Sequence, residues 1–496
     1  MTTESSVRPR WAAARAVAWA ALAAATALLL VGLSYLHPVL PIVAVAAGAM
    51  LLVAAFRPKA FALITALVIV TSTLLEAFLG TLGGYADEGM IALAVTALLS
   101  RRLITEGRIV WLPGLGWFVG FVAIGLLSTV SADGPFSIAV PAAFIAVKGV
   151  LFALALAQLR WTRDDLVVLI RVGLATIAVV ALTGLLNLVA PATWANLLTG
   201  NPPMNGVGPL PALSGLFQHP AAFSRFCGAL AVACLTYGLV VRRSLANTLL
   251  TAVTTGLAFL TFQVKSIVGL LATMSAIGAR FLRPAGAMAL LCAAPVLALV
   301  AAPPLLELVG ADFALYVLQD SARSELTYGG FLVAAQYFPL GAGFGMYGSS
   351  TAAAIYSPIY YELGFPGRYG LSPGTGQYLN DNQWPAILGE TGWLGAACFA
   401  AGVLAMLVSL MRRTSPAEDR LVRWIRLTGI GWMVLLLVES LASPVFVSPP
   451  SYPFMFAVAG IAASFRSGSR AREAGGDRPQ AGSPAYDGPR AGAVHS

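Results

Sequence analysis

The chain has 496 residues, 58% of them apolar and only 10% charged, with a mean hydropathy of +0.82. A soluble chain carries roughly 25% charged residues, so too little polar side chain is present to coat a water-facing surface. A soluble enzyme, a DNA-binding protein and a disordered regulator are thereby excluded as readings of the whole chain, and a polytopic membrane protein is implied. The formal charge of +9 does not indicate a nucleic-acid partner, because the cations lie between apolar runs rather than in one patch.

Apolar runs long enough, or nearly so, to cross roughly 30 Å of hydrocarbon as helix recur along the chain. They fall near 13–33, 38–56, 61–80, 88–100, 110–129, 136–158, 165–190, 219–241, 245–262, 266–279, 284–302, 385–411, 422–444 and 449–466. The fold class expected is an all-α polytopic membrane protein with about 12–14 transmembrane helices and one large extracytoplasmic loop. The first run, flanked by Arg8, Arg10 and Arg15, reads as an uncleaved signal-anchor because further spans follow at once. Cys227, Cys234, Cys292 and Cys398 all lie inside apolar runs and read as small buried residues.

Placing the N-terminus in the cytoplasm puts most of the 30 Lys and Arg on the cytoplasmic side, as the positive-inside rule requires. Both termini are then cytoplasmic. The organisation expected is a cytoplasmic segment 1–12, a helix bundle 13–302 with an outer loop at 191–218, an extracytoplasmic loop 303–384, and C-terminal spans 385–466. Residues 467–496, rich in Gly, Ser, Pro, Arg and Ala, read as a disordered cytoplasmic tail. No internal repeat is visible.

Four cations remain for the outer side: Arg225, Lys265, Arg323 and Arg368. Each alone could snorkel to lipid headgroups. Two on adjacent spans at one depth, with two more above, fit an anion site better, and a diphosphate carried on a polyprenyl lipid is the anion expected there. Glu76, Glu390 and Glu439 lie at a similar outer level, and ionisable groups within spans are costly unless they are paired or functional. Lys148 is deeper. Gly341-Ala342-Gly343-Phe344-Gly345 is not a nucleotide loop, because no strand precedes it and the spacing is wrong; it reads as a turn or a close backbone approach. No metal-ligand spacing and no Ser–His–Asp set can be found. His219 is the one histidine near the suspected site.

These residues resemble the O-antigen ligase/polymerase family of membrane glycosyltransferases. The resemblance is strongest over 319–400, where Ser321-Ala322-Arg323 is followed by Phe338-Pro339-Leu340-Gly341-Ala342-Gly343-Phe344-Gly345. Next come Asn380-Asp381-Asn382-Gln383-Trp384 and Leu388-Gly389-Glu390-Thr391-Gly392-Trp393-Leu394-Gly395. His219-Pro220-Ala221-Ala222-Phe223 and the turn Val264-Lys265-Ser266 are also similar to the family, which usually carries Ser-Arg at that turn. Ligases of the family have a histidine in the outer loop; here Asp381 stands at the matching position, which favours the polymerase-like branch.

The resemblance implies transfer of a glycan from a polyprenyl-diphosphate-linked oligosaccharide donor to a hydroxyl of a glycan acceptor, at the extracytoplasmic face of a bacterial plasma membrane. It implies membrane lipids as surroundings, no nucleic acid, no cofactor and no metal. Arg225, Lys265, Arg323 and Arg368 would bind the diphosphate, and Asp381, His219, Arg323 and Glu390 would be catalytic. Asp381 is the first choice as base, with Glu325 and Glu362 further candidates. Tyrosines of the loop could lie against sugar rings. The rival readings are ligase-type transfer to a lipid or protein acceptor, and a polysaccharide-lipid transporter or flippase.

Overall fold

The computed structural model describes residues 40–198, 210–279, 321–376, 378–412 and 418–476. The expected spans 13–33 and 284–302, the N-terminal segment 1–12, parts of both outer loops and the tail beyond 476 lie outside the described residues. Within them the chain is helical, with no β-strand. It is an all-α multi-pass membrane protein.

The chain forms two compact units, 1–109 and 110–496. In the first, α1 (Leu40–Phe56), α2 (Pro58–Leu79), the short α3 (Thr81–Gly84) and α4 (Ala86–Glu106) pack together. Glu76 belongs to α2 of this unit. The second unit holds α5 (Leu115–Ser131), α6 (Phe136–Ala157), α7 (Arg163–Val189), α8 (Pro191–Leu198), α9 (Pro220–Val240), α10 (Leu245–Phe259) and α11 (Val264–Ala279). It continues with α12 (Ala322–Gln336), the short α13 (Ser350–Ile355) and α14 (Pro358–Glu362), then α15 (Gln383–Met411), α16 (Arg420–Glu439) and α17 (Ser451–Gly476).

Each expected span inside the described residues is a helix. Six of them (α2, α6, α7, α9, α15 and α16) are long and apolar enough to cross a membrane, and four more (α1, α5, α10 and α11) are apolar but shorter. Helix α4 falls outside that set because Asp87 and Glu88 open it and Arg101, Arg102 and Glu106 close it. Two features were not read from the sequence. The outer loop contains a four-turn helix, α12, started by Ser321, whose hydroxyl accepts from the Ser324 amide. Helix α17 continues through Gly476, so residues 467–476 are helical rather than disordered; Arg470, Ala471, Arg472, Glu473 and Ala474 are helix formers.

Close helix packing depends on small residues, as expected where lipid offers no hydrophobic drive between helices. A Cβ at Gly402 of α15 would lie 2.7 Å from the Phe118 ring of α5, and one at Gly149 of α6 would lie 2.5 Å from Phe456 of α17. Phe118 meets Phe399 and Phe456 edge-on at 5.4 and 6.2 Å, joining α5, α15 and α17 in one aromatic core. At one end of the bundle Arg426 grips Glu418 through two 2.9 Å contacts and donates to the Leu410 carbonyl at 2.7 Å. The opposite end gathers the candidate site.

Candidate functional site

Five helix ends meet at the site: the N-termini of α9, α11, α12 and α15, and the C-terminus of α16. Helix α9 begins sharply because Pro220 occupies its first position and His219 caps it, Nδ1 accepting from the Ala221 amide at 3.0 Å. Six residues on, Arg225 is 92% buried and faces Glu439 of α16, with Nε 3.8 Å from Oε2. Glu439 is wholly buried, with the Ser266 hydroxyl of α11 beside its carboxylate.

Lys265, at the start of α11, reaches the segment that follows α16. Its Nζ donates to the Ala442 carbonyl at 2.9 Å and to Ser443 Oγ at 2.6 Å. A helix C-terminus carries partial negative charge, which suits a cation there. Ties from α15 hold the same segment: Trp384 Nε1 donates to Ser440 Oγ at 2.9 Å, and the Phe446 amide donates to Gln383 Oε1 at 3.1 Å.

Arg323, in the first turn of α12, donates through Nε and Nη2 to one oxygen of Asp381. The guanidinium also stands over the Tyr378 ring, 5.9 Å from its centroid. Asn382 locks the pair in place: its Nδ2 donates to Thr327 Oγ1 at 2.9 Å and to the Arg323 carbonyl at 3.3 Å.

The groups form one electrostatic cluster. Lys265 feels Asp381, Arg323, Arg225 and Glu439, and Arg225 feels Glu439 and Asp381. His219 feels Arg225, Lys265, Asp381 and Arg323. Desolvation by the protein around His219, which keeps an exposed edge, and then the charges of Arg225 and Lys265 lower its pKa, which favours the neutral imidazole. With Nδ1 accepting from the Ala221 amide, its proton resides on Nε2. His219 is therefore a hydrogen-bond donor toward an anion rather than a base at that nitrogen. Among the described residues, the three cations Arg225, Lys265 and Arg323 stand beside the two carboxylates of Glu439 and Asp381.

Arg225, Lys265, Arg323, Asp381 and His219 are thus brought together, and two of the expected site residues are not. Arg368 pairs instead with Glu325, 3.4 Å away and half exposed; Glu325 stands two positions from Arg323 and so points to a different side of α12. Glu390 lies under the glycine loop. Its Oε1 accepts from the Gly345 amide at 2.9 Å, and the amides of Met346 and Tyr347 and the Ser349 hydroxyl also bond to it. With its carboxylate taken up by the chain's own donors, Glu390 anchors a loop.

That anchoring explains the Gly341–Gly345 segment as a close backbone approach. Helix α15 breaks at Gly392 (φ 64°, ψ −169°), which frees carbonyls just upstream. The Ala342 amide donates to the Gly389 carbonyl at 2.8 Å and the Gly343 amide to the Glu390 carbonyl at 2.9 Å. A Cβ at Gly392 would overlap the Leu340 carbonyl, and one at Gly341 would overlap the backbone of Glu390.

Sequence reasoning missed Ser443, Ser440 and Asn382 as parts of the site. Asn382 stood beside Asp381 in a quoted motif, whereas nothing marked the two serines beyond the polar break Ser440–Pro450 after a span. Glu362 is exposed on α14, and Lys148 stands over the Tyr452 ring, 5.1 Å from its centroid. Among the described residues no cluster of His, Cys, Asp and Glu is arranged to hold a metal ion. No family model matches the chain. No curated protein matches it either.

Proposed function

We propose that this chain is a membrane glycosyltransferase that transfers a polyprenyl-diphosphate-linked glycan to a sugar hydroxyl, in the manner of an O-antigen or exopolysaccharide polymerase. The observation that carries the reading is the convergence of Arg225, Lys265 and Arg323, from three different helices, on Asp381 and His219 at one end of the bundle. Fixed cations and a neutral imidazole donor supply what a departing diphosphate needs as its negative charge grows.

In the reaction, the acceptor oxygen bonds to the anomeric carbon of the donor sugar. The bond from that carbon to phosphate breaks, and the diphosphate leaves with the electron pair toward Arg225, Lys265 and Arg323. The acceptor proton passes to Asp381. An incoming diphosphate competes with Asp381 for Arg323, so arrival of the donor also releases the base. The site faces outward across a bacterial plasma membrane, with both termini cytoplasmic, as the distribution of cations supports.

The test is polymer formation in cells carrying Asp381→Ala or Arg225→Ala. Both abolish polymer per unit of folded protein, the normalisation being needed because Arg225→Ala also strands the buried Glu439; wild-type chain length in both variants would refute the assignment.

A further inference from the structure

Helix α12 has two faces of different kind. Leu326, Gly329, Gly330, Val333 and Ala334 are buried, and a Cβ at Gly330 would lie 3.1 Å from the backbone of Pro385, so this face packs on the first turns of α15. The other face presents Tyr328, Phe331, Leu332, Ala335 and, just beyond the helix, Phe338, all exposed. No Asp, Glu, Lys or Arg occurs between Glu325 and Glu362, so the outward face carries no charge beyond Glu325, which heads the stripe and pairs with Arg368. Contiguous exposed aromatic surface of this kind marks an interaction site.

The neighbouring span says what covers it. Beyond its break at Gly392, α15 runs from Trp393 to Met411, roughly 28 Å at 1.5 Å per residue, which matches the hydrocarbon thickness of a bilayer. Its outward stripe is Trp393, Ala397, Ala400, Leu404, Val408 and Met411, all exposed and apolar at helical spacing, which is the face a span turns to lipid. Trp393 heads that stripe, at the level where tryptophans collect at the membrane boundary. Phe331 meets Trp393 with ring centroids 6.0 Å apart. The exposed face of α12 therefore continues the lipid-facing surface of α15 without a gap.

We propose that α12 is an interfacial helix, lying at the membrane boundary with Tyr328, Phe331, Leu332 and Phe338 immersed among the lipids of the leaflet at the site end. The partner is bilayer lipid, held by apolar contact and requiring no particular headgroup. This placement depends on the α12–α15 geometry and not on the catalytic reading. It fixes Arg323, in the first turn of the same helix, at headgroup depth.

Photo-crosslinking of the full chain in lipid vesicles tests it, with p-benzoylphenylalanine placed singly by Phe331→p-benzoylphenylalanine and Phe338→p-benzoylphenylalanine. Leu404→p-benzoylphenylalanine is the lipid-exposed reference and Tyr361→p-benzoylphenylalanine the reference on the loop surface. Mass spectrometry should find lipid adducts at 331 and 338 in yields within about threefold of 404, and essentially none at 361. Protein–protein adducts at 331 and 338 would overturn the proposal in favour of a second copy on this face. An absence of lipid adducts there, with 404 labelled, would overturn it in favour of water.

Discussion

Arg323 and Asp381 hold one another across 58 residues of chain, the guanidinium donating twice to one carboxylate oxygen at the mouth of the helix bundle. In the proposed reaction these two residues have opposite tasks, a cation for an anion and a carboxylate for a proton. A diphosphate that took Arg323 would free Asp381, coupling binding of the proposed donor to activation of the acceptor.

That coupling separates binding from turnover. Asp381→Asn removes a competitor for Arg323, and a partly exposed pair of this kind is worth up to ~1 kcal/mol. Inorganic pyrophosphate should therefore bind Asp381→Asn up to about fivefold more tightly than wild type by isothermal titration, while glycan transfer is lost. Weaker pyrophosphate binding in Asp381→Asn would show that Asp381 supports the anion rather than competing with it.

Arg225 and Glu439 make a different kind of pair, both of them buried. Removing one partner strands the other, at a cost of about 3–5 kcal/mol. Arg225→Met and Glu439→Leu should each lower the Tm of the detergent-solubilised protein by several degrees, and the double variant should recover much of the loss. Only the variants lacking Arg225 should lose pyrophosphate affinity. Additive losses in the double variant would mean that the two charges act independently.

Glu390 offers a test between anchoring and catalysis. Gln keeps the shape but brings an NH2 group toward a ring of amide donors, and leaving a buried donor unsatisfied costs about 1–3 kcal/mol. Glu390→Gln should unfold at lower temperature and lose activity in proportion to folded protein lost. A fully stable but inactive Glu390→Gln would assign Glu390 to the chemistry.

His219 sets a pH dependence whose sign is fixed. Its folded pKa lies below the ordinary 6.5, first through burial and then through Arg225 and Lys265. As pH falls through about 6.5, the unfolded chain takes up a proton that the folded chain resists. Stability should therefore drop from pH 7.5 toward 5.5, and His219→Asn, which keeps an N-cap, should flatten that drop. Melting curves in detergent read both slopes. Parallel slopes would place the titration elsewhere.

The spans were legible because a helix in lipid must be apolar over its length, and Pro135, Pro220 and Asn382 mark where α6, α9 and α15 begin. The outer cations were legible because the outer face holds so few. What composition hides is pairing. Nothing in the sequence joins Arg225 to Glu439 or Lys265 to Ser443, since helix rotation decides which side chains face each other. The loop contacts of Glu390 stayed hidden for the same reason: a carboxylate near a site and a carboxylate under a loop look alike until the backbone amides around them are placed. The break at Gly392 stayed hidden because Gly389, Gly392 and Gly395 stand in one apolar run and nothing in the sequence singles out one of the three; the positive φ follows from the loop laid across Gly392.

The central claim is that the clustered cations and Asp381 carry out glycan transfer from a lipid diphosphate. Purified protein in detergent, given a polyprenyl-diphosphate oligosaccharide and no ion gradient, tests it most directly. Longer lipid-linked glycan with release of one polyprenyl diphosphate per transfer is the predicted result. Unchanged donor under those conditions, with the same protein moving that donor across sealed vesicles, would contradict it.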